Sequence, residues 1–283
     1  MLILLLSLSQ TVTAGRAQAG CLVPVAAGKT VYTSGAAKVD ASNTSEGYIV
    51  VNYSGSCPKV KLQVTGSNGV TYTYNLKGGN EVFPLSSGSG AYKVSVLENI
   101  AGNRYAVALQ QNINANITNA YGPYLYPNQY VNFHAGSAVV AMASQLAAGK
   151  VTDLDVVTSV YNYVTKSIKY DYGKASSVQS GYTSNVDSTL ATGSGICLDY
   201  SAVMASMLRS QGIPTRLEVG YAGTAYHAWI STYITDVGWV NGIIQFDGHN
   251  WSLMDPTFAA NSSEASLKNF IGSGNNYQTK YVY

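Results

Sequence analysis

The chain has 283 residues, carries a formal net charge of +2, and is long enough for two domains with hydrophobic cores. Because the charge is nearly balanced and no basic cluster is present, the sequence gives no electrostatic basis for nucleic-acid binding. Charged residues make up 11% of the chain and tyrosine occupies 23 positions, a polar but weakly charged composition that suits a protein working outside the cell.

Residues 1–20 have the features of a secretory signal peptide. Residues 2–8 form a short apolar run, and "AQA" at 17–19 has the small-x-small pattern of a cleavage site. The apolar run is too short to span a bilayer, and we predict no transmembrane segment elsewhere. The sequence therefore predicts a secreted, extracellular protein, which could be associated with the cell surface.

Three cysteines are present, and their roles differ. Cleavage near Ala19 would leave Cys21 at or next to the new N-terminus, where it could carry a lipid. Alternatively, Cys21 pairs with Cys57 in a disulfide, and the sequence leaves both alternatives open. Cys197 then has no partner, and an unpaired cysteine in a secreted protein is a candidate reactive thiol.

Residues 21–118 are predicted to form an antiparallel β-sandwich of the immunoglobulin or fibronectin kind. Short segments rich in Val, Tyr and Thr are separated by turn sequences such as Asn68-Gly69. The predicted strands are 47–53, 59–65, 70–76, 91–98 and 104–112. Because this part has no histidine and few acids, we expect a spacer or binding module.

Residues 119–283 are predicted to form an α+β domain, with helices first and an antiparallel sheet last. The first helix is predicted over 137–149. The second is predicted over 152–168, where Thr152 and Asp155 form a capping-box-like start.

The next segment, residues 169–196, shows no period and is predicted to be a long surface loop. A third helix begins at Cys197, with an apolar stripe along one side, and stops at Gly212. The predicted strands that follow are 216–221, 225–234, 242–246 and 250–255.

Cys197 stands at the start of this third helix, directly after a glycine-rich turn. The positive end of the helix dipole would favour a thiolate there, and the unpaired N–H groups could hold the oxyanion formed when the thiolate attacks an acyl carbon. Gly193 and Gly195 would allow the backbone and a substrate to approach the sulfur closely. Taken alone, however, an isolated cysteine is more often an inert core residue.

Two downstream residues complete a candidate triad. Period-2 alternation places His227 on the same strand face as Trp229, and Pro256 keeps Asp255 extended at the end of its strand. If these strands are antiparallel neighbours, the imidazole would lie beside the carboxylate, with Cys197 packed over both. This is the arrangement of a nucleophile, a base and a group that orients the base.

Four motifs resemble the transglutaminase-like superfamily, which is built on a papain-like fold. They are Gly-x-Cys-x-Asp at a helix start, "RSQGIPTRLEVGY", "HAW" and "DPT", and the resemblance covers about residues 128–260. It implies that Cys197 is the nucleophile, His227 the general base and Asp255 the carboxylate that orients the base. The resemblance, taken together with the predicted signal peptide, suggests a secreted bacterial member.

The resemblance implies a thiol-dependent acyl-transfer enzyme that acts on a protein or peptide substrate, which could belong to the cell wall or cell surface. The acyl-enzyme would pass to an amine, giving a cross-link, or to water, giving deamidation. A cell-surface cysteine peptidase or amidase of the same superfamily is an open alternative. A catalytically silent adhesion or scaffold protein is the alternative from another class.

Other polar residues receive structural interpretations. Asp199, in the first helical turn, is expected to interact with the helix dipole. His134 and His249 are expected to be surface or structural residues. No zinc-ligand spacing or calcium loop is visible in the sequence, so no cofactor or metal is predicted.

Overall fold

The computed structural model describes residues 20–241, 244–246, 251–253 and 277–283. The predicted signal segment, apart from Gly20, lies outside the described residues, as do Asp255 and His249. The described part is a mixed α and β structure in which most strands pair in antiparallel sheets.

Two four-stranded antiparallel sheets make up the N-terminal unit, which we define as residues 31–115. The first sheet has the order β1-β2-β3-β6, with β1 Val31–Ser34, β2 Ala37–Asp40, β3 Tyr48–Tyr53 and β6 Gly79–Pro84. The second sheet has the order β5-β4-β7-β8, with β4 Val60–Thr65, β5 Thr71–Asn75, β7 Gly90–Ala101 and β8 Arg104–Ala115.

The two sheets contact each other through their apolar faces. Along β4 buried and half-buried residues alternate strictly, so that one face enters the core and the other carries polar side chains. Tyr74 of β5 packs on Phe83 of β6 with ring centroids 4.7 Å apart, which joins one sheet to the other. All five predicted strands are present, whereas β1, β2 and β6 were not predicted. The immunoglobulin-like arrangement stays a prediction.

The helices of the C-terminal unit, residues 138–283, follow a short connection. They are α1 Ala138–Ala147, α2 Asp153–Ser167, α3 Tyr172–Ser177, α4 Val186–Thr192 and α5 Cys197–Ser210. The predicted capping box of α2 is confirmed, because Thr152 accepts a hydrogen bond from the Asp155 N–H and Asp155 accepts one from the Thr152 N–H.

The prediction of a long loop over 169–196 was wrong. This segment contains α3 and α4 and two short parallel strands, β9 Lys169–Tyr170 and β10 Ser194–Gly195. Asp171 caps α3 and Asn185 caps α4 through side-chain hydrogen bonds to backbone N–H groups. Helices of six and seven residues complete at most two turns, which is too short to show a hydrophobic period.

Helix α5 is the centre of the C-terminal unit. The sequence predicted an apolar stripe along one side of this helix. The burial extends to all sides instead, because every residue from Asp199 to Ser210 is buried. The helix packs against α1, α2 and α4 and also against two strands of the following sheet. A helix enclosed in this way needs small or apolar residues on all sides. Its five alanine and serine positions supply the small residues, and the buried apolar residues include Val203, Met204, Met207 and Leu208.

That sheet has the order β13-β12-β11-β16 and is antiparallel. Its strands are β11 Thr215–Ala222, β12 Ala225–Ile234, β13 Gly238–Asn241 and β16 Tyr277–Val282, and a separate pair consists of β14 Ile244–Phe246 and β15 Trp251–Leu253. β11 and β12 match predicted strands, whereas β13 and β16 were not predicted. Among the described residues β12 does not pair with β15, although the predicted triad supposed that these two strands could be neighbours.

Tyrosine rings join the two units. Tyr283 stacks on Tyr130 with ring centroids 3.9 Å apart and meets Tyr74 of β5 edge-on at 5.9 Å. The hydroxyl oxygen of Tyr72 accepts a hydrogen bond of 3.4 Å from the Val282 N–H. Buried residues of both units belong to one continuous apolar core. In the described part of the chain, no helix has the length and hydropathy needed to cross a membrane.

The buried guanidinium of Arg209 holds the C-terminal end of α5. It donates hydrogen bonds of 2.9, 2.8 and 2.7 Å to the carbonyl oxygens of Thr215, Tyr126 and Tyr283. Burial lowers the pKa of Arg209 to about 9, so the side chain is still a cation at neutral pH. One side chain thus ties the helix to β11, to the connection before α1 and to Tyr283.

We expect Arg209→Met to lower the free energy of unfolding by about 3 kcal/mol, because three buried carbonyls lose their donor. Arg209→Lys keeps the charge but lacks the planar fork, so it should recover only part of the loss. Urea unfolding at pH 7 measures both. Arg104→Met, at an exposed position of β8, is the control and should stay within about 0.5 kcal/mol of the parent. Equal unfolding midpoints for Arg209→Met and Arg104→Met would contradict the role of Arg209.

Candidate active site

A tight turn places Cys197 at the first position of α5. Gly193 ends α4 in the left-handed region with φ of 59°, a conformation that favours glycine. Gly195 faces the next helical turn, and a Cβ added to it would lie 2.6 Å from the Asp199 Cβ. The two glycines are therefore required by the backbone path into the helix, and the Cys197 side chain remains half-buried.

Asp199 caps this helix from inside its first turn. The N-cap residue is Ile196, whose side chain cannot accept a hydrogen bond, and Asp199 instead accepts one of 2.9 Å from the Ile196 N–H. The other contacts of the buried carboxylate come from outside the helix, with the Tyr182 hydroxyl at 2.6 Å and the Lys174 ammonium at 2.7 Å. Asp199 therefore attaches the first turn of α5, which contains Cys197, to α3 and to the segment after α3.

Sequence reasoning missed Lys174 and Tyr182. It expected only the helix dipole to act on Asp199, and the two partners lie in the segment predicted to be a loop. A lysine 25 residues away and a tyrosine 17 residues away have no spacing signal that links them to Asp199. The one available signal is Asp171, since an Asx cap predicts the short helix on which Lys174 stands.

The capping cluster of Lys174, Tyr182 and Asp199 has a defined protonation state. Burial lowers the pKa of Lys174, but its hydrogen bonds to Asp199 and Tyr182 outweigh burial, and the pKa lies above its ordinary value. Burial and then the hydrogen bond to Asp199 raise the pKa of Tyr182. At neutral pH the ammonium and the phenol are thus both donors to a carboxylate.

His227 stands on β12, the strand that contacts α5. It is buried and lies opposite Gly220 of β11, with its ring near Trp229 at a centroid distance of 6.4 Å and near Tyr277 at 6.5 Å. A Cβ on Gly220 would collide with the backbone of Gln278 on β16. The absence of a side chain at position 220 therefore lets β16 approach the strand pair that carries His227.

Cys197 and His227 line the same cavity, whose volume is about 760 Å³. The structure therefore brings two members of the predicted triad to one site, and the third, Asp255, lies outside the described residues. His134 is elsewhere, in a turn where its Nδ1 accepts a hydrogen bond from the Gly136 N–H. Cys21 and Cys57 are both free thiols rather than a disulfide.

The remaining wall of the cavity is rich in tyrosine. The tyrosines that line it are Tyr130, Tyr170, Tyr182, Tyr226, Tyr281 and Tyr283. Burial is the main cause of the raised pKa of Tyr170 and of Tyr226. The phenols of Tyr170 and Tyr226 are therefore neutral at physiological pH, and all six rings offer flat apolar surfaces with hydroxyl groups at their edges. Within the described residues, no group of three His, Cys, Asp or Glu side chains converges as a metal site would require.

Comparison with known families agrees with the predicted resemblance. Residues 140–242 match the family model described as the transglutaminase-like superfamily. This segment includes both Cys197 and His227 and extends from α1 to just beyond β13. No curated protein matches the sequence.

Three solved structures are similar to the chain at low identity. A candidate cysteine protease from Cytophaga hutchinsonii is 21% identical with a TM-score of 0.34, and the match covers 48% of this chain and 41% of that protein. The periplasmic domain of TgpA from Pseudomonas aeruginosa is 16% identical with a TM-score of 0.39, covering 87% and 77%. Red sea bream transglutaminase is 13% identical with a TM-score of 0.28, covering 74% and 48%.

The capping cluster predicts a loss of stability at alkaline pH. Lys174 stabilises the fold fully below its unfolded pKa of about 10.4, and this contribution is lost as pH rises through the higher folded value. The raised pKa of Tyr182 acts in the same direction, because above pH 10 or so the unfolded chain ionises this phenol first. We therefore expect Lys174→Met to lower the free energy of unfolding by about 2 kcal/mol at pH 8 and by much less at pH 11.

Urea unfolding at several pH values measures this difference. Lys166→Met, at an exposed position of α2, removes the same charge and should differ little from the parent at any of these pH values. A Lys174→Met difference that is absent at pH 8, or that grows toward pH 11, would contradict the assigned role of the cluster.

Proposed function

We propose that this chain, whose residues 140–242 are of the transglutaminase-like superfamily, is a thiol-dependent acyl-transfer enzyme that acts on amide bonds of a protein or peptide. The observation that carries the proposal is that Cys197 and His227 line the same cavity, with Cys197 at the N-terminus of a buried helix. A nucleophile, a base and room for a substrate are the elements that acyl transfer needs.

The reaction begins when His227 removes the thiol proton and the Cys197 sulfur attacks the amide carbon. The resulting oxyanion is stabilised by the N–H groups of Cys197 and Leu198, which lie in the first turn of α5 and have no acceptor within the helix. His227 then protonates the leaving nitrogen, the C–N bond breaks, and a thioester remains on Cys197. We assign Asp255 to orient the imidazole, in line with the family motif.

The thioester is resolved by water or by an amine. Attack by water gives deamidation or peptide cleavage, and attack by a primary amine gives a cross-link. The sequence features of residues 1–20 support action outside the cytoplasm, as a secreted or cell-surface protein. We place the boundary between the N-terminal unit and a papain-like catalytic domain at residues 118 and 119.

The proposal predicts a reactive thiol at position 197. Iodoacetamide at pH 7 should alkylate Cys197 faster than a free model thiol, and His227→Ala should slow this reaction at least tenfold because the proton acceptor is lost. His134→Ala removes a histidine outside the cavity and is the matched control, with the parent rate expected. Mass spectrometry of the peptide that contains residue 197 separates its labelling from that of Cys21 and Cys57.

Turnover is tested with glutamine-containing and backbone amide peptides. We expect a thioester adduct on the parent chain, none on Cys197→Ala, and a loss of at least 100-fold in rate with His227→Ala. Release of ammonia with and without an added primary amine distinguishes hydrolysis from transfer. An ordinary alkylation rate together with no adduct would indicate a silent binding protein and would end the enzyme proposal.

A further inference from the structure

The cavity that contains Cys197 is not built by the C-terminal unit alone. Lys61 of β4 and Thr73 and Asn75 of β5 also line it. In the sheet register Lys61 lies opposite Asn75, and Gln63 lies opposite Thr73, so these side chains share the outer face of one sheet. The N-terminal unit, expected from its sequence to be a spacer or binding module, therefore supplies one wall of the candidate active site.

Direct contacts hold this wall in place. The Lys77 ammonium donates a hydrogen bond of 2.6 Å to the Thr183 hydroxyl, and the Gln129 amide donates one of 2.7 Å to the Asn75 carbonyl. Gly181 has a φ of +86°, and a Cβ at this position would collide with the Asn75 side-chain amide. The segment between α3 and α4 therefore lies tightly against β5, at the edge of the cavity.

The described residues that line the cavity include basic but no acidic side chains. Lys61 is the one lysine among them, and none is Arg, Asp or Glu. Lys61 lies over the Tyr105 ring, with its Nζ 5.1 Å from the ring centroid, and within the described part of the chain it forms no ion pair. Asp199 does not offset this charge, because its carboxylate is buried and already paired with Lys174.

We propose that Lys61, with Thr73 and Asn75, forms a specificity subsite that selects peptide acyl donors carrying a carboxylate near the attacked amide. The inference rests on the proposed function of Cys197. The ammonium attracts the carboxylate, and the neighbouring hydroxyl and amide groups can hydrogen-bond the peptide backbone. Tyr170 and Tyr226, which also line the cavity, provide apolar contact for the rest of the peptide.

Two alkylating reagents of similar size test the subsite without a known substrate. Iodoacetate is an anion and iodoacetamide is neutral. In both reactions the Cys197 sulfur attacks the CH2 carbon of the reagent, a C–S bond forms and iodide leaves. The ratio of their rates at Cys197 should fall about two- to sixfold in Lys61→Gln at low ionic strength, and further in the charge reversal Lys61→Glu. Any effect of the substitution on the thiol itself changes both rates by the same factor and therefore cancels in the ratio.

The matched control is Lys93→Gln. Lys93 is an exposed lysine that lies opposite Thr65 in the same sheet, on the same outer face, but it does not line the cavity. Its replacement should leave the rate ratio at the parent value. A ratio that is unchanged in Lys61→Gln and Lys61→Glu, or that falls equally in Lys93→Gln, overturns the subsite.

The two proposals fail in different ways. If iodoacetamide labels Cys197 rapidly and this depends on His227, but the rate ratio does not change when Lys61 is replaced, the subsite is contradicted and the enzyme proposal stands. Labelling no faster than a free thiol removes the enzyme proposal, and the rate ratio still reports whether Lys61 acts on an anion at Cys197. With an active enzyme, kcat/KM for an acidic peptide should fall by the same factor in Lys61→Gln, while that for its neutral amide analogue should not.

Discussion

The buried carboxylate of Asp199 is the interaction on which the arrangement of the site depends. A helix that starts at Cys197 after an isoleucine has no side chain at its N-cap that can accept from the first turn. Asp199 instead accepts a hydrogen bond from the Ile196 N–H and so fixes the helix start from within the helix. A buried carboxylate is costly unless it is paired, and Lys174 and Tyr182 meet that requirement. The same contacts bring the α3–α4 segment against α5, and so the helix start and one edge of the cavity are positioned together.

Arg209 plays the corresponding part at the other end of α5. Its three carbonyl acceptors lie in three separate parts of the chain, namely the connection before α1, β11 and Tyr283, and one side chain therefore holds these parts together. An enclosed helix has little freedom to shift along its axis, because both ends are held by buried charged groups. The thiol of Cys197 therefore lies on a rigid element, which suits the nucleophile role proposed for it.

The sequence predicted those parts of the structure whose signals are local. Strands with alternating residues, the capping box at Thr152 and Asp155, and the helix start at Cys197 were all found from patterns a few residues long. The short helices α3 and α4 were missed because they are too short for a period. β16 was not predicted although its residues, YQTKYV, are mostly of types common in strands. Cys197 and His227 were singled out by motif and meet at one cavity, whereas Lys61 belongs to a unit whose sequence carries no chemical signature. No spacing rule relates residues that approach only when two units pack.

The stacked tyrosines between the two units have a consequence for the shape of the cavity. Rings of Tyr74, Tyr130 and Tyr283 interlock at the junction, and an aromatic contact of this kind resists sliding of one unit over the other. The width of the cleft between β5 and α5 is therefore set when the chain folds. The side chains that line the cleft are then ordered before any ligand enters, so the conformational-entropy cost of shaping the cleft is met during folding rather than during binding.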